Sequence, residues 1–87
     1  VHSSQYLEVL DLSENAIKDS GVKHLTSILN ELAVKTLDLS SCEISDQGAI
    51  YLAEALKTNT KLMKLILNDN EIGNNGANSL SDILNLN

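Results

Sequence analysis

The sequence predicts an α/β fold: a right-handed αβ solenoid with a parallel sheet on its concave face and helices on its convex face. Three observations predict it. Apolar residues recur with a near-constant period along the whole of the 87 residues. Within each period, a stretch alternating Leu with polar residues precedes a stretch spaced like one face of a helix. The apolar content, 43%, is almost entirely Leu, Ile, Val and Ala, with no Phe or Trp and only Tyr6 and Tyr51 as aromatics. Compact domains of this size use large aromatics to fill their centre, whereas uniform aliphatic packing suits thin layers that repeat.

The period is read from three superimposable copies. The first runs Leu7-Glu8-Val9-Leu10-Asp11-Leu12-Ser13-Glu14-Asn15-Ala16-Ile17, followed by Gly21, Leu25 and Leu29. In the second, Val34, Leu37, Leu39, Cys42 and Ile44 hold the same places, followed by Gly48, Leu52 and Leu56. In the third they are held by Leu62, Leu65, Leu67, Asn70 and Ile72, followed by Gly76, Leu80 and Leu84. Leu10 to Leu37 is 27 residues and Leu37 to Leu65 is 28. The extra residue's counterpart is missing between Leu29 and Val34, in the loop leaving the first helix, where length changes are tolerated.

Each element has a physical reason. Leu10 and Leu12, Leu37 and Leu39, and Leu65 and Leu67 alternate with polar residues, the pattern of a half-buried strand. Asn15 and Asn70 stand where the chain turns away from the strand, and a side-chain amide there can satisfy backbone groups that have left the ladder. Cys42 takes that place in the middle copy as a small residue with a weak S–H donor. Ile17, Ile44 and Ile72 re-enter the core. Asp19-Ser20, Ser45-Asp46 and Gly73-Asn74 then offer residues suited to starting a helix. From each following Gly, steps of one, four and eight residues give the apolar stripes Val22-Leu25-Leu29, Ala49-Leu52-Leu56 and Ala77-Leu80-Leu84. Ile50 lies away from its stripe and is expected to face solvent beside Tyr51. The whole reads as a single segment of three repeats, about 7–33, 34–61 and 62–87, with 1–6 as the end of a preceding repeat.

The pattern L-x-x-L-x-L-x-x-N/C-x-I, followed by a helix that opens with Gly, resembles leucine-rich repeats of the ribonuclease-inhibitor-like subfamily. The Asn, Cys, Asn alternation at residues 15, 42 and 70 resembles the two repeat types that alternate there. The resemblance covers essentially the whole chain. Similar arrays occur in ribonuclease inhibitor, in NOD-like innate immune receptors, in Ran GTPase-activating protein and in actin-capping regulators. The resemblance implies a horseshoe segment and a protein-protein interaction module within a larger intracellular, cytoplasmic protein. It also implies neighbouring repeats at both ends, because neither terminus carries a distinct polar cap. Two other roles stay open: part of a GTPase-activating or actin-regulating array, and a structural spacer or oligomer interface.

Charge narrows the partners. Twelve acids stand against six bases, all of them Lys, for a net charge of −6. An acidic chain without arginine is a poor ligand for nucleic acid, whose phosphates need cationic side chains, and for anionic membrane surfaces. A protein with a basic surface is the partner the charge favours. The single Cys42 allows no intrachain disulfide.

The residues flanking the core leucines point away from the core and form the candidate binding set: Val9, Asp11, Ser13 and Glu14; Thr36, Asp38, Ser40 and Ser41; Lys64, Ile66, Asn68 and Asp69. Four acids and one lysine make this surface acidic. Neighbouring strands lie about 4.8 Å apart, so Asp11 and Asp38 should stand side by side. No catalytic, cofactor-binding or metal-ligating set is expected. His2 and His24 are the only histidines, His24 and Cys42 fall on different sides of the repeat, and repeat geometry explains all four glycines.

Overall fold

A computed structural model describes residues 8–59 and 61–84, with side chains as far as residue 81. Residues 1–6, expected as the end of a preceding repeat, and the core position Leu7 lie outside the described residues, as does the Leu84 side chain. The chain alternates three strands and three helices: β1 (Val9–Asp11), α1 (Lys18–Ile28), β2 (Thr36–Asp38), α2 (Asp46–Leu56), β3 (Lys64–Ile66) and α3 (Asn74–Leu84). A short 3-10 turn, Leu29–Glu31, carries Leu29 on into the core beyond α1.

The strands form a parallel sheet in the order β1-β2-β3. Its register pairs Val9 with Thr36 and Thr36 with Lys64, and likewise Leu10, Leu37 and Leu65. The strands are short because the ladder hands over to turn hydrogen bonds almost at once. Leu12 N–H donates to the Asp38 carbonyl (2.9 Å) and Leu39 N–H to that of Ile66 (2.8 Å), and Glu14 and Ser41 continue onto Ser40 and Asn68 (2.9 Å each). This is the αβ solenoid that the periodicity predicts.

The middle copy lies in the centre of the core. Leu37, Leu39, Cys42, Ile44, Ala49 and Leu52 have no accessible surface, whereas Leu10, Leu12, Ile17, Leu65, Leu67 and Ile72 are only partly buried. Full burial of such a side chain contributes about 1.5–3 kcal/mol, and the outer layers realise only part of it. Ile50, expected on the solvent side, is part-buried. The reason is that α2 packs on α1 along one flank and on α3 along the other, so its core-facing arc is wider than the single stripe facing the sheet. Tyr51 also packs against the core cluster, with the Lys23 ammonium 5.8 Å from its ring centroid.

The helix starts depart from the sequence expectation. Neither α1 nor α2 has a side-chain cap supplied by its own N-cap residue, although Ser45 occupies that place on α2. At α2 and α3 the cap comes instead from the preceding helix. Asp19 Oδ1 accepts the N–H groups of Ser45 (2.9 Å) and Gly48 (3.1 Å), and Asp19 Oδ2 accepts the Ser45 hydroxyl. Asp46 Oδ1 in turn accepts the N–H groups of Gly73 (2.6 Å) and Gly76 (3.1 Å). A helix leaves its first N–H groups without intrahelical partners and carries positive potential there, so a carboxylate satisfies both needs. Burial raises the Asp19 pKa, but the hydrogen bonds from Ser45 and Gly48 outweigh it and hold the carboxyl below its ordinary 3.8. At α1 the Gly21 N–H bonds to the carbonyl of Ile17 (3.1 Å).

Candidate functional site

The parallel register turns the twelve candidate residues into four rows that cross the three repeats. Val9, Thr36 and Lys64 form the first row and Asp11, Asp38 and Ile66 the second. Ser13, Ser40 and Asn68, then Glu14, Ser41 and Asp69, follow at equivalent places in the turns. Val9 (57% exposed), Asp11, Glu14, Lys64, Asn68 and Asp69 are exposed, while Ser13, Thr36, Asp38, Ser40, Ser41 and Ile66 are part-buried. The middle repeat is covered on both sides, which is why all four of its members lose exposure.

Asp11 and Asp38 are direct neighbours in the register, as the alternation requires. Each also shapes its own turn. Asp11 Oδ1 accepts both the N–H (2.9 Å) and the hydroxyl (2.6 Å) of Ser13, and Asp38 Oδ1 accepts the Ser40 N–H (3.0 Å). Bonds of this kind let a short side chain replace a backbone partner where the strand ends. The Ser13 hydroxyl and then its N–H lower the Asp11 pKa below 3.8, against a slight opposing effect of burial. The Ser40 hydroxyl is engaged as well, accepting the Asn68 N–H at 3.1 Å. Among the described residues the ion pairs are Lys35–Glu8 (3.9 Å) and Lys57–Glu54 (3.2 Å), neither of which neutralises an acid of this face.

A further regularity was hidden from sequence reading. Glu14, Ser41 and Asp69, one per repeat, adopt left-handed backbone at φ of 61°, 55° and 58°. Glycine is the usual signal for that conformation, and none of the three is glycine. Met63, 80% exposed just before β3, likewise carried no signal in the repeat pattern.

Behind the strands the turns are tied to one another. Asn70 Oδ1 accepts the N–H groups of Cys42 (2.9 Å) and Ile44 (3.0 Å), and its Nδ2 donates to the carbonyls of Leu39 (2.8 Å) and Leu67 (3.2 Å). Cys42 is buried and donates its thiol to the Leu12 carbonyl (3.1 Å). Thus Asn70 reaches back to Leu39 as Cys42 reaches back to Leu12, with the amide adding a strong acceptor where the thiol has only a weak one. His24 is exposed and, with Leu12, Ile17, Gly21, Leu25 and Ile28, lines a depression of about 410 Å³ on the first repeat, whereas Cys42 is buried. No group of three or more His, Cys, Asp or Glu that could hold a metal ion occurs among the described residues.

The Leucine Rich repeat family pattern matches residues 3–26, 34–53 and 58–81, taking in all three strand–turn–helix units. The chain belongs to the leucine-rich repeat family. Among its relatives is NACHT, LRR and PYD domains-containing protein 14 of Homo sapiens, 39% identical over 83 residues, which are 93% of this chain and 8% of that protein. The human NACHT, LRR and PYD domains-containing protein 5 is 38% identical over 80 residues, 90% of this chain and 7% of the relative. Ribonuclease inhibitor of Sus scrofa is 33% identical over 76 residues, 85% of this chain and 17% of the inhibitor. This leucine-rich repeat segment therefore spans less than a fifth of the length of each of these relatives. Likeness to ribonuclease inhibitor agrees with the subfamily that the Asn and Cys turn positions indicate. No described helix is long and apolar enough to cross a membrane.

Proposed function

We propose that this segment is part of a non-catalytic, cytoplasmic protein-binding array that receives a partner with a basic surface on the sheet face carrying Asp11 and Asp38. The carrying observation is the adjacency of these two carboxylates in the sheet register with no cation paired to either among the described residues. Like charges side by side are mildly unfavourable in a sheet, and a Lys or Arg from a partner relieves that repulsion. Exposed Glu14 and Asp69 extend the negative field along the turns, and Val9 and Ile66 add apolar contact beside it. The part-buried outer layers fit neighbouring repeats at both ends, with the three units divided at about 7–33, 34–61 and 62–87. The absence of arginine and the acidic balance argue against nucleic acid and anionic membrane as partners.

The test replaces Asp11, Asp38 and Asp69 with Lys in the full-length protein and compares the affinity-captured partners with those of the unchanged protein. The reading expects loss of basic partners and a binding strength that falls as salt rises. An unchanged set of partners at unchanged salt dependence would refute it.

A further inference from the structure

On the sheet face the charges are sorted along the strands. The first row, Val9, Thr36 and Lys64, carries a cation and no acid. The acids begin in the second row with Asp11 and Asp38 and return in the turns with Glu14 and Asp69. Among the described residues four of the six lysines have partners. Lys35 pairs with Glu8 and Lys57 with Glu54, Lys61 Nζ donates to the Asn30 carbonyl at 3.4 Å, and Lys23 lies over the Tyr51 ring. Lys18 and Lys64 have none among the described residues, and of these two Lys64 stands on the sheet face. Its register neighbour Thr36 has a hydroxyl that is likewise unengaged among the described residues. Two exposed apolar side chains border the pair, Val9 on β1 and Met63 just before Lys64.

Two residues along a strand span about 6.6 Å, and neighbouring strands lie about 4.8 Å apart. The Lys64 and Asp38 backbones are thus about 8 Å apart on the diagonal, and no salt bridge joins Lys64 to an acid among the described residues. A purely basic segment laid over Asp11 and Asp38 would bring a cation against Lys64, and like charges in contact are unfavourable. A polyanion would meet the second-row acids and be repelled in the same way. We propose that Lys64 and Thr36 form a carboxylate-accepting corner of the face, so that the protein segment received here is amphoteric. It places an Asp or Glu on the Lys64 ammonium and Thr36 hydroxyl, and a Lys or Arg two residues along over Asp11 and Asp38. An extended segment has the same two-residue spacing as the rows, and Val9 and Met63 take an apolar group beside its carboxylate. The proposal rests on the acidic face being the receiving surface and adds a selection. All-basic segments are disfavoured, and amphoteric ones are held in one direction.

The experiment mixes the full-length protein at low salt with an acetylated, amidated peptide, Val-Glu-Thr-Lys-Thr. A carbodiimide joins carboxylates to the amines they touch, and mass spectrometry maps the new amide bonds. The peptide's Glu should link to Lys64 at about three times the yield at Lys35 or Lys61, the factor of an exposed ion pair, while its Lys links to Asp11 or Asp38. Thr36→Val, which keeps the side-chain shape, should lower the yield at Lys64. In Lys64→Glu, linkage to Asp11 and Asp38 should come to favour a second peptide with Lys in place of the Glu, whereas Lys61→Glu should leave the preference unchanged. Even linkage across Lys35, Lys61 and Lys64 would overturn the proposal, as would a preference that Lys64→Glu leaves unaltered. Linkage of the peptide's Lys to Asp11 or Asp38 in the same sample would show that the acidic-face reading still stands. Failure of every peptide to link to Asp11 or Asp38 would overturn that reading and the proposal with it.

Discussion

Replacing Asp19 with alanine removes the shared acceptor of three donors at the start of α2: the Ser45 N–H, the Ser45 hydroxyl and the Gly48 N–H. Loss of a helix cap costs about 0.5–2 kcal/mol, and a buried donor left without a partner costs about 1–3 kcal/mol. Gly48 is buried and Ser45 part-buried, so water can replace only part of what is lost. The two effects together place Asp19→Ala at roughly 2–3 kcal/mol. A domain of this length has about 4–13 kcal/mol in all at typical stability per residue, so the change removes a large share. In urea, with a slope of about 1–3 kcal/mol/M, the midpoint should fall by about 1–2 M at unchanged slope. Asp46→Ala is the internal comparison. It deprives two backbone donors, one on exposed Gly73, and no hydroxyl, so its cost should be smaller, roughly 1–2 kcal/mol. A midpoint shift below about 0.3 M for Asp19→Ala, less than half a kcal/mol at a typical slope, would refute the reasoning. So would a larger shift for Asp46→Ala.

Other outcomes follow from the same contacts. The Asp19 pKa is lowered on folding, so its contribution is complete above the unfolded-state value and is lost as pH falls through the lower folded-state value. The urea midpoint should therefore drop as pH falls below about 4, and Asp19→Asn should flatten that dependence. Asn70→Ala breaks five hydrogen bonds to backbone and should cost about 3 kcal/mol. Asn15→Ala, whose exposed amide donates among the described residues to Leu12 and Ser13, should cost about 1 kcal/mol in the same denaturation assay. The Cys42 thiol, with no accessible surface, should react with a thiol reagent only through opening of the fold. Its labelling should quicken by about 30-fold or more in Asp19→Ala, the factor that 2–3 kcal/mol implies when opening is at equilibrium.

The sequence announced whatever repeats locally. Leu10, Leu37 and Leu65 aligned themselves, and a period of 27 or 28 residues with a strict alternation leaves one register for the sheet. The faces of Asp11 and Asp38 followed from that register. What stayed hidden was settled between repeats. Ser45 reads as a cap for its own helix, because serine before a helix normally is one, yet its hydroxyl donates to an aspartate 26 residues earlier. Nothing local tells a carboxylate which helix it will cap. Ile50 was assigned by its angle on one helix, while its burial depends on flanking helices that such an angle ignores. The left-handed turns at Glu14 and Ser41 went unseen because neither residue type advertises the conformation, and Asp69, of a type that adopts it more readily, was the one weak signal.

The relay of carboxylates has a direction, since each sits on an earlier helix and holds the start of a later one. Unwinding α1 would leave the first turn of α2 bare, whereas unwinding α3 would leave that turn fully capped by Asp19. In a stack stabilised mainly by nearest neighbours, fraying at helix starts therefore travels with the chain, from lower residue numbers to higher. A break near the leading end uncaps the next helix start, while one at the trailing end spares every earlier helix cap and frees only the turn N–H groups of Cys42 and Ile44 that Asn70 holds.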